Sequence, residues 1–166
     1  VYPAFVPLTH PLASVRGSYN AIYIKGNGID DAMFYGRGAG SLPTGSSVVS
    51  DIMEVAKNVA FESTGRFKPF YFDQKNIYSP GKIQSSYYMR LAVDNKTGVL
   101  AKIATKLAEQ KISVLSIVQR NKDPETAVLA IVTSKCPHSY ILNLIDSFNS
   151  LRSVKEVSSV IRIMEA

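Results

Sequence analysis

The chain has a single cysteine, Cys136, which rules out a disulfide within one molecule. No apolar run approaches the roughly eighteen residues that a membrane-spanning helix needs. No block of about five or six like charges occurs either. The formal net charge is +6, yet residues 1–60 balance four basic against four acidic side chains, and the surplus is spread thinly beyond them. A scattered surplus marks a solvated surface rather than a nucleic-acid footprint. The opening VYPAFVPLTHP is too proline-rich for a secretion signal and does not begin with Met, so the expectation is a piece of a longer polypeptide. A reducing cytoplasm, with neither membrane nor nucleic acid as partner and no metal, fits these absences. What is present is 46% hydrophobic and 19% charged content in 166 residues, enough for one ordinary core or two small ones.

Periodicity divides the chain. Asn20–Lys25 (NAIYIK) alternates, with Ile22 and Ile24 on one face and Tyr23 and Lys25 on the other. Ala32–Tyr35 (AMFY) is a second short strand, and GNGIDD between them supplies turn residues, so a hairpin is expected. From Thr44, placed to cap the N-terminus, Val48, Ile52, Val55, Ala56 and Val59 recur at helical spacing to about Glu62. That spacing predicts a helix with one face buried against the hairpin. Between strand and helix lies YGRGAGSLPTG, with Gly36, Gly38 and Gly40. The spacing is G-x-G-x-G rather than G-x-G-x-x-G, and no second parallel strand follows promptly, so a complete dinucleotide fold is a poor reading. An anion cradle at a helix start and a tight strand-to-helix turn both remain open. The next stretch, Ser63–Ser86, carries Phe67, Phe70, Tyr71, Phe72 and Tyr78 among turn formers. Flexible linkers are poor in aromatics, so this connector is expected to pack on a neighbour as core.

The last eighty or so residues follow a cleaner order. Tyr87–Val93 reads as a strand, and Leu100, Ile103, Ala104, Leu107 and Ala108 share a helical face. Ser113–Gln119 and Ala127–Thr133 are strands joined by RNKDPET, Ile141, Leu144, Ile145 and Phe148 mark a second helix, and Val157–Met164 is a final strand. The order βαββαβ predicts an α+β, ferredoxin-like sandwich. Such a fold serves RNA readers and amino-acid sensors alike. RNA readers stack bases on exposed aromatics, and neither VLAIVT nor SVLSIVQ has one. Instead DNKTGVLAKIA places Gly98 at a tight turn and starts a helix at Val99. Free N–H groups there suit an amino-acid carboxylate, with Asp94 or Asn95 meeting its ammonium or hydroxyl and Leu100 close by.

YYMRLAVDNKTGVLAKIATKLAEQKISVLSIVQR resembles the ACT domain, with Thr97 where many ACT loops carry proline. HPLASVRGSYNAIYIKGNG and YGRGAGSLPTGSSVVSDIMEVA resemble the end of the catalytic region of homoserine dehydrogenases. The resemblance implies three segments: 1–66 as the C-terminal part of the catalytic domain (its hairpin and helix), 67–86 as an aromatic-rich connector, and 87–166 as an ACT regulatory domain. It implies an NAD(P)-dependent parent enzyme that interconverts aspartate 4-semialdehyde and homoserine, in threonine and methionine biosynthesis. The Rossmann domain and catalytic lysine lie upstream of the matched segments, and neither Lys25 nor Lys57 matches that lysine. Gly38, Ala39, Gly40, Pro43 and Thr44 match the family's second nucleotide-contacting loop, and His10 matches a segment beside the substrate pocket. No cofactor is expected to bind tightly to this segment alone. The implied partners are an amino-acid effector, threonine first, and a second copy through the ACT domain. The alternative is a stand-alone ACT-type sensor or assembly module without catalysis.

Overall fold

The computed structural model describes residues 1–63 and 76–164. In chain order its elements begin with β1 (Ala4–Phe5), β2 (Tyr19–Gly26), β3 (Asp30–Arg37), α1 (Ser41–Ala60) and β4 (Gln84–Asp94). There follow α2 (Val99–Glu109), β5 (Val114–Asn121), β6 (Thr126–Thr133), β7 (Cys136–Pro137), α3 (His138–Asn149) and β8 (Val154–Ile163). Two compact units result: Leu8–Asn76, and Val1–Pro7 together with Ile77–Ala166.

In the first unit β2 and β3 pair antiparallel from Tyr19↔Arg37 to Gly26↔Asp30, so the expected hairpin forms with a tighter turn than GNGIDD suggests. Tyr19, Ala21 and Tyr23 are half-buried on one face, while Ile22 and Ile24 on the other are exposed. The helix differs from expectation in two ways. It starts at Ser41 with Gly40 as N-cap, so Thr44 sits inside the first turn, its N–H donating to the Gly40 carbonyl at 3.1 Å, and does not cap. Pro43 is tolerated because the first turn's N–H groups have no intrahelical acceptor in any case. The second difference is that α1 buries none of its residues: Val48, Ile52, Val55 and Val59 are all more than half exposed. The apolar stripe is real, but among the described residues the hairpin does not cover it. The expected aromatic packing of Phe67, Phe70, Tyr71 and Phe72 lies outside the described residues.

The second unit is the expected βαββαβ sandwich. Its sheet runs β1-β8-β4-β6-β5, with β7 pairing the start of β4. The central pairs β4–β6, β4–β8 and β5–β6 are antiparallel, whereas β1 lies parallel on β8. Alternation sends Tyr87, Met89, Leu91 and Val93 of β4 and Ala127, Leu129 and Ile131 of β6 to one face. That face is covered by Ile103 and Leu107 of α2 and by Ile141, Leu144 and Phe148 of α3. On α2 the buried stripe is Val99, Ile103 and Leu107, so Leu100, Ala104 and Ala108, expected on the buried face, point outward. The buried Thr133 hydroxyl accepts the Tyr87 N–H at 3.0 Å, which satisfies a polar group inside the core. The edge strand β5 stays exposed on both faces except at Ile117.

Candidate functional site

The turn between β4 and α2 forms a cavity of ≈ 360 Å³. Gly98 closes it in the left-handed region, at φ 83° and ψ −10°. A Cβ there would meet nothing within 4 Å, so glycine is favoured there by backbone conformation and not by crowding. All five residues expected to hold an effector, Asp94, Asn95, Gly98, Val99 and Leu100, line this one cavity. The helix start leaves the Leu100 and Ala101 N–H groups without intrahelical acceptors, while the Val99 N–H makes a long bond of 3.4 Å to the Lys96 carbonyl. Asp94 is not a bare carboxylate, because Lys96 approaches it at 3.7 Å and Lys155 at 3.9 Å. Both pairs are loose and partly solvated, so a ligand ammonium can displace them at little cost. The Asn95 amide nitrogen donates to the Pro124 carbonyl at 3.3 Å and its backbone N–H to the Glu125 carbonyl, which leaves Oδ1 to accept from a ligand. Lys96 and Gln119 also line the cavity and were missed from the sequence. Lys96 sits inside the DNKTG motif and its charge was the available signal. Gln119 is brought there only by the register of β5 on β6, opposite Leu129.

The glycine-rich segment runs from β3 into α1. Gly40 has φ 128° and ψ 143°, a conformation that side chains rarely adopt. Gly38 is constrained differently: a Cβ there would run into the Asn20 side chain, and its N–H donates to the Ser18 carbonyl at 2.9 Å. The fold of this unit therefore accounts for both glycines. Gly38, Ala39, Gly40 and Thr44 are exposed, Pro43 is half-buried, and the Ser41 and Leu42 N–H groups point out of the helix start without intrahelical acceptors. Such a loop fits contact with the polar edge of a nucleotide cofactor.

His10 is buried. Its Nδ1 accepts the Leu12 N–H at 3.2 Å and caps the short helical turn Pro11–Ser14, while its ring meets Tyr23 edge-on at 4.5 Å. An accepting Nδ1 places the neutral ring's proton on Nε2. In the second unit His138 opens α3, hydrogen-bonds the Tyr87 hydroxyl through Nδ1 at 3.1 Å and donates its backbone N–H to the Ile83 carbonyl. Burial, then the Arg162 charge, hold this imidazole below its ordinary range. Burial pushes the Cys136 thiol up, which makes it a poor nucleophile. Among the described residues no group of three or more His, Cys, Asp or Glu side chains is placed to hold a metal, and no helix is long and apolar enough to cross a membrane.

A protein-family profile for homoserine dehydrogenase matches residues 1–53. A homoserine dehydrogenase of Bacillus subtilis is 36% identical over 98% of this chain, which spans 38% of that relative. One from Mycobacterium tuberculosis is 35% identical with the same coverage. Among solved structures, a homoserine dehydrogenase from Thiobacillus denitrificans superposes with a TM-score of 0.83 at 28% identity, over 99% of this chain and 38% of that one.

Proposed function

We propose, for a chain that corresponds to the C-terminal portion of homoserine dehydrogenase, that it couples an amino-acid sensor to the end of an NAD(P)-dependent catalytic domain. The observation that carries the sensor is the cavity at Gly98, which gathers helix N–H groups, Lys96, Asn95 Oδ1 and Asp94 around a space large enough for a small amino acid. The carboxylate sits on the Leu100 and Ala101 N–H groups and Lys96, and the ammonium faces Asp94. A hydroxyl within reach of Asn95 or Gln119 favours threonine over apolar amino acids. A thermal-shift panel of threonine, isoleucine, methionine and lysine tests it, with threonine alone expected to stabilise.

In the complete enzyme the loop 38–44 lies against the nicotinamide end of the cofactor, and His10 is a supporting residue beside the substrate. The cofactor supplies the hydride. The residues described contribute the Ser41 and Leu42 N–H donors at the helix start and, at Gly40, exposed backbone that carries no side chain. Gly40→Val is expected to act twice. Strain at φ 128° costs about 1–3 kcal/mol, and the new side chain raises the cofactor KM or lowers kcat. Gly36→Ala is the control, because a Cβ there meets nothing within 4 Å. Unchanged kinetics for Gly40→Val, with lowered stability, return the loop to a purely structural turn. The purified chain by itself is expected to give no nicotinamide-dependent oxidation of homoserine, since a single loop cannot replace a full cofactor fold. Turnover by the rigorously purified chain contradicts this.

The exposed edge favours self-association. Leu115 is 68% exposed on β5, whose outer side has no strand partner among the described residues. Such edges are commonly protected by pairing across a two-fold axis. A dimer is therefore expected by light scattering, and Leu115→Lys should shift it toward monomer. A strictly monomeric unsubstituted chain at high micromolar concentration would rule the pairing out.

A further inference from the structure

The sheet face turned away from α2 and α3 carries a second concavity, of ≈ 490 Å³, that shares no lining residue with the cavity at Gly98. Alternation puts Tyr88 and Arg90 of β4 on this face, opposite to the buried Tyr87, Met89 and Leu91. The register then sets the rest. Arg90 stands beside Ala130, which stands beside Val118; one row along, Ala92 stands beside Val128, which stands beside Arg120. Two arginines thus flank β6 from opposite sides, with only the small side chains of Ala130 and Val128 between them. Neighbouring strands are about 4.8 Å apart, so β4 and β5 are separated by about 10 Å. Two guanidinium groups on long stems can close on one anion over that floor. Lys122, at the turn after β5, adds a third cation to the same concavity. Among the described residues none of the three has an ion-pair partner. Tyr88 forms one wall and is held there by Phe5, which meets its ring edge-on at 5.4 Å. The strands β5 and β6 carry no aromatic for stacking, but β4, between β6 and β8, does.

We propose that this face binds a small organic dianion with a planar body, of the class of a nucleoside 5′-monophosphate. The phosphate is held by Arg90, Arg120 and Lys122, and the planar body lies on the aliphatic floor against Tyr88. The volume falls within the ordinary range for small-ligand pockets, about 300–1,000 Å³. Planar guanidinium forks suit a phosphate better than ammonium groups do. A second copy of the chain is disfavoured as occupant, because a two-fold contact through this face would bring the same unpaired cations together.

Adenosine 5′-monophosphate titrated into the purified chain by calorimetry tests the proposal. Saturable binding is expected, weakening as salt rises. The double variant Arg90→Gln/Arg120→Gln should lose about tenfold or more in affinity, while Arg90→Lys/Arg120→Lys loses less. Arg90 and Arg120 are both exposed, so unchanged melting curves confirm that the fold is kept. Adenosine and inorganic phosphate should each bind at least about tenfold more weakly than the nucleotide if both halves contribute. Gly98→Val should leave nucleotide binding unaltered, which separates this site from the amino-acid sensor. The proposal is overturned by the absence of saturation at millimolar nucleotide, by equal affinity in the Gln double variant, or by phosphate binding as tightly as the nucleotide. A single-stranded oligoribonucleotide bound more than about tenfold tighter than the mononucleotide also overturns it, in favour of a nucleic-acid surface.

Discussion

Phe148→Ala is expected to lower the stability of the βαββαβ unit by about 3–5 kcal/mol. Phe148 is fully buried and lies with Ile141 and Leu144 on the face of α3 that meets the sheet. Deleting its ring removes apolar burial and leaves a cavity that the close-packed core cluster to which it belongs cannot fill without distortion. Domains are stable by only about 5–15 kcal/mol, so the loss is a large fraction of the total. For a unit of this size each kcal/mol corresponds to about 4–8 °C in melting temperature, and a calorimetric scan resolves it. The threonine response should be lost over the same temperature range, because the cavity exists only in the folded unit. A loss below about 1 kcal/mol would mean that α3 is not seated as described.

The second large effect belongs to Gly98. If threonine binds only the folded form, saturation at about a hundredfold excess over Kd stabilises the chain by about 2.7 kcal/mol. Gly98→Val should abolish that gain. At φ 83° a β-branched side chain is a true outlier, so the turn must rearrange and the Leu100 and Ala101 N–H groups lose their aim. Gly98→Asn separates conformation from contact, since asparagine tolerates the left-handed region and should keep most of the response. A full response in Gly98→Val would show that the turn is not part of the site.

Alternation and spacing made the second unit legible almost element by element, because its apolar residues find partners within the same ninety or so residues of sequence. The stripe of α2 was less determinate. Ala101, Ala104 and Ala108 widen the apolar arc, so periodicity alone could not choose Val99–Ile103–Leu107 over Leu100–Ala104–Ala108. The helix α1 shows the converse limit. Val48, Ile52, Val55 and Val59 announce a face that wants a partner, but periodicity does not say where the partner is, and none of the described residues buries it. β1 is two residues long and sits among prolines, too short for any period to be read. At the candidate effector site Gly98 and its helix start were readable from a local motif. Gln119 was not, because it joins the cavity through strand register some twenty residues away. Gly38 illustrates a different gap: its need for glycine comes from the Asn20 side chain across the hairpin, a contact that no local pattern encodes.

Calorimetric titration of threonine into the purified chain, beside isoleucine, methionine and lysine and repeated on Gly98→Val, decides whether the cavity at Gly98 is an amino-acid sensor. Saturable heat is expected for threonine, weaker or no heat for the other three, and none for threonine in the variant. A flat response across all four amino acids, with the dimer intact by light scattering, would contradict it and leave the βαββαβ unit as an assembly element.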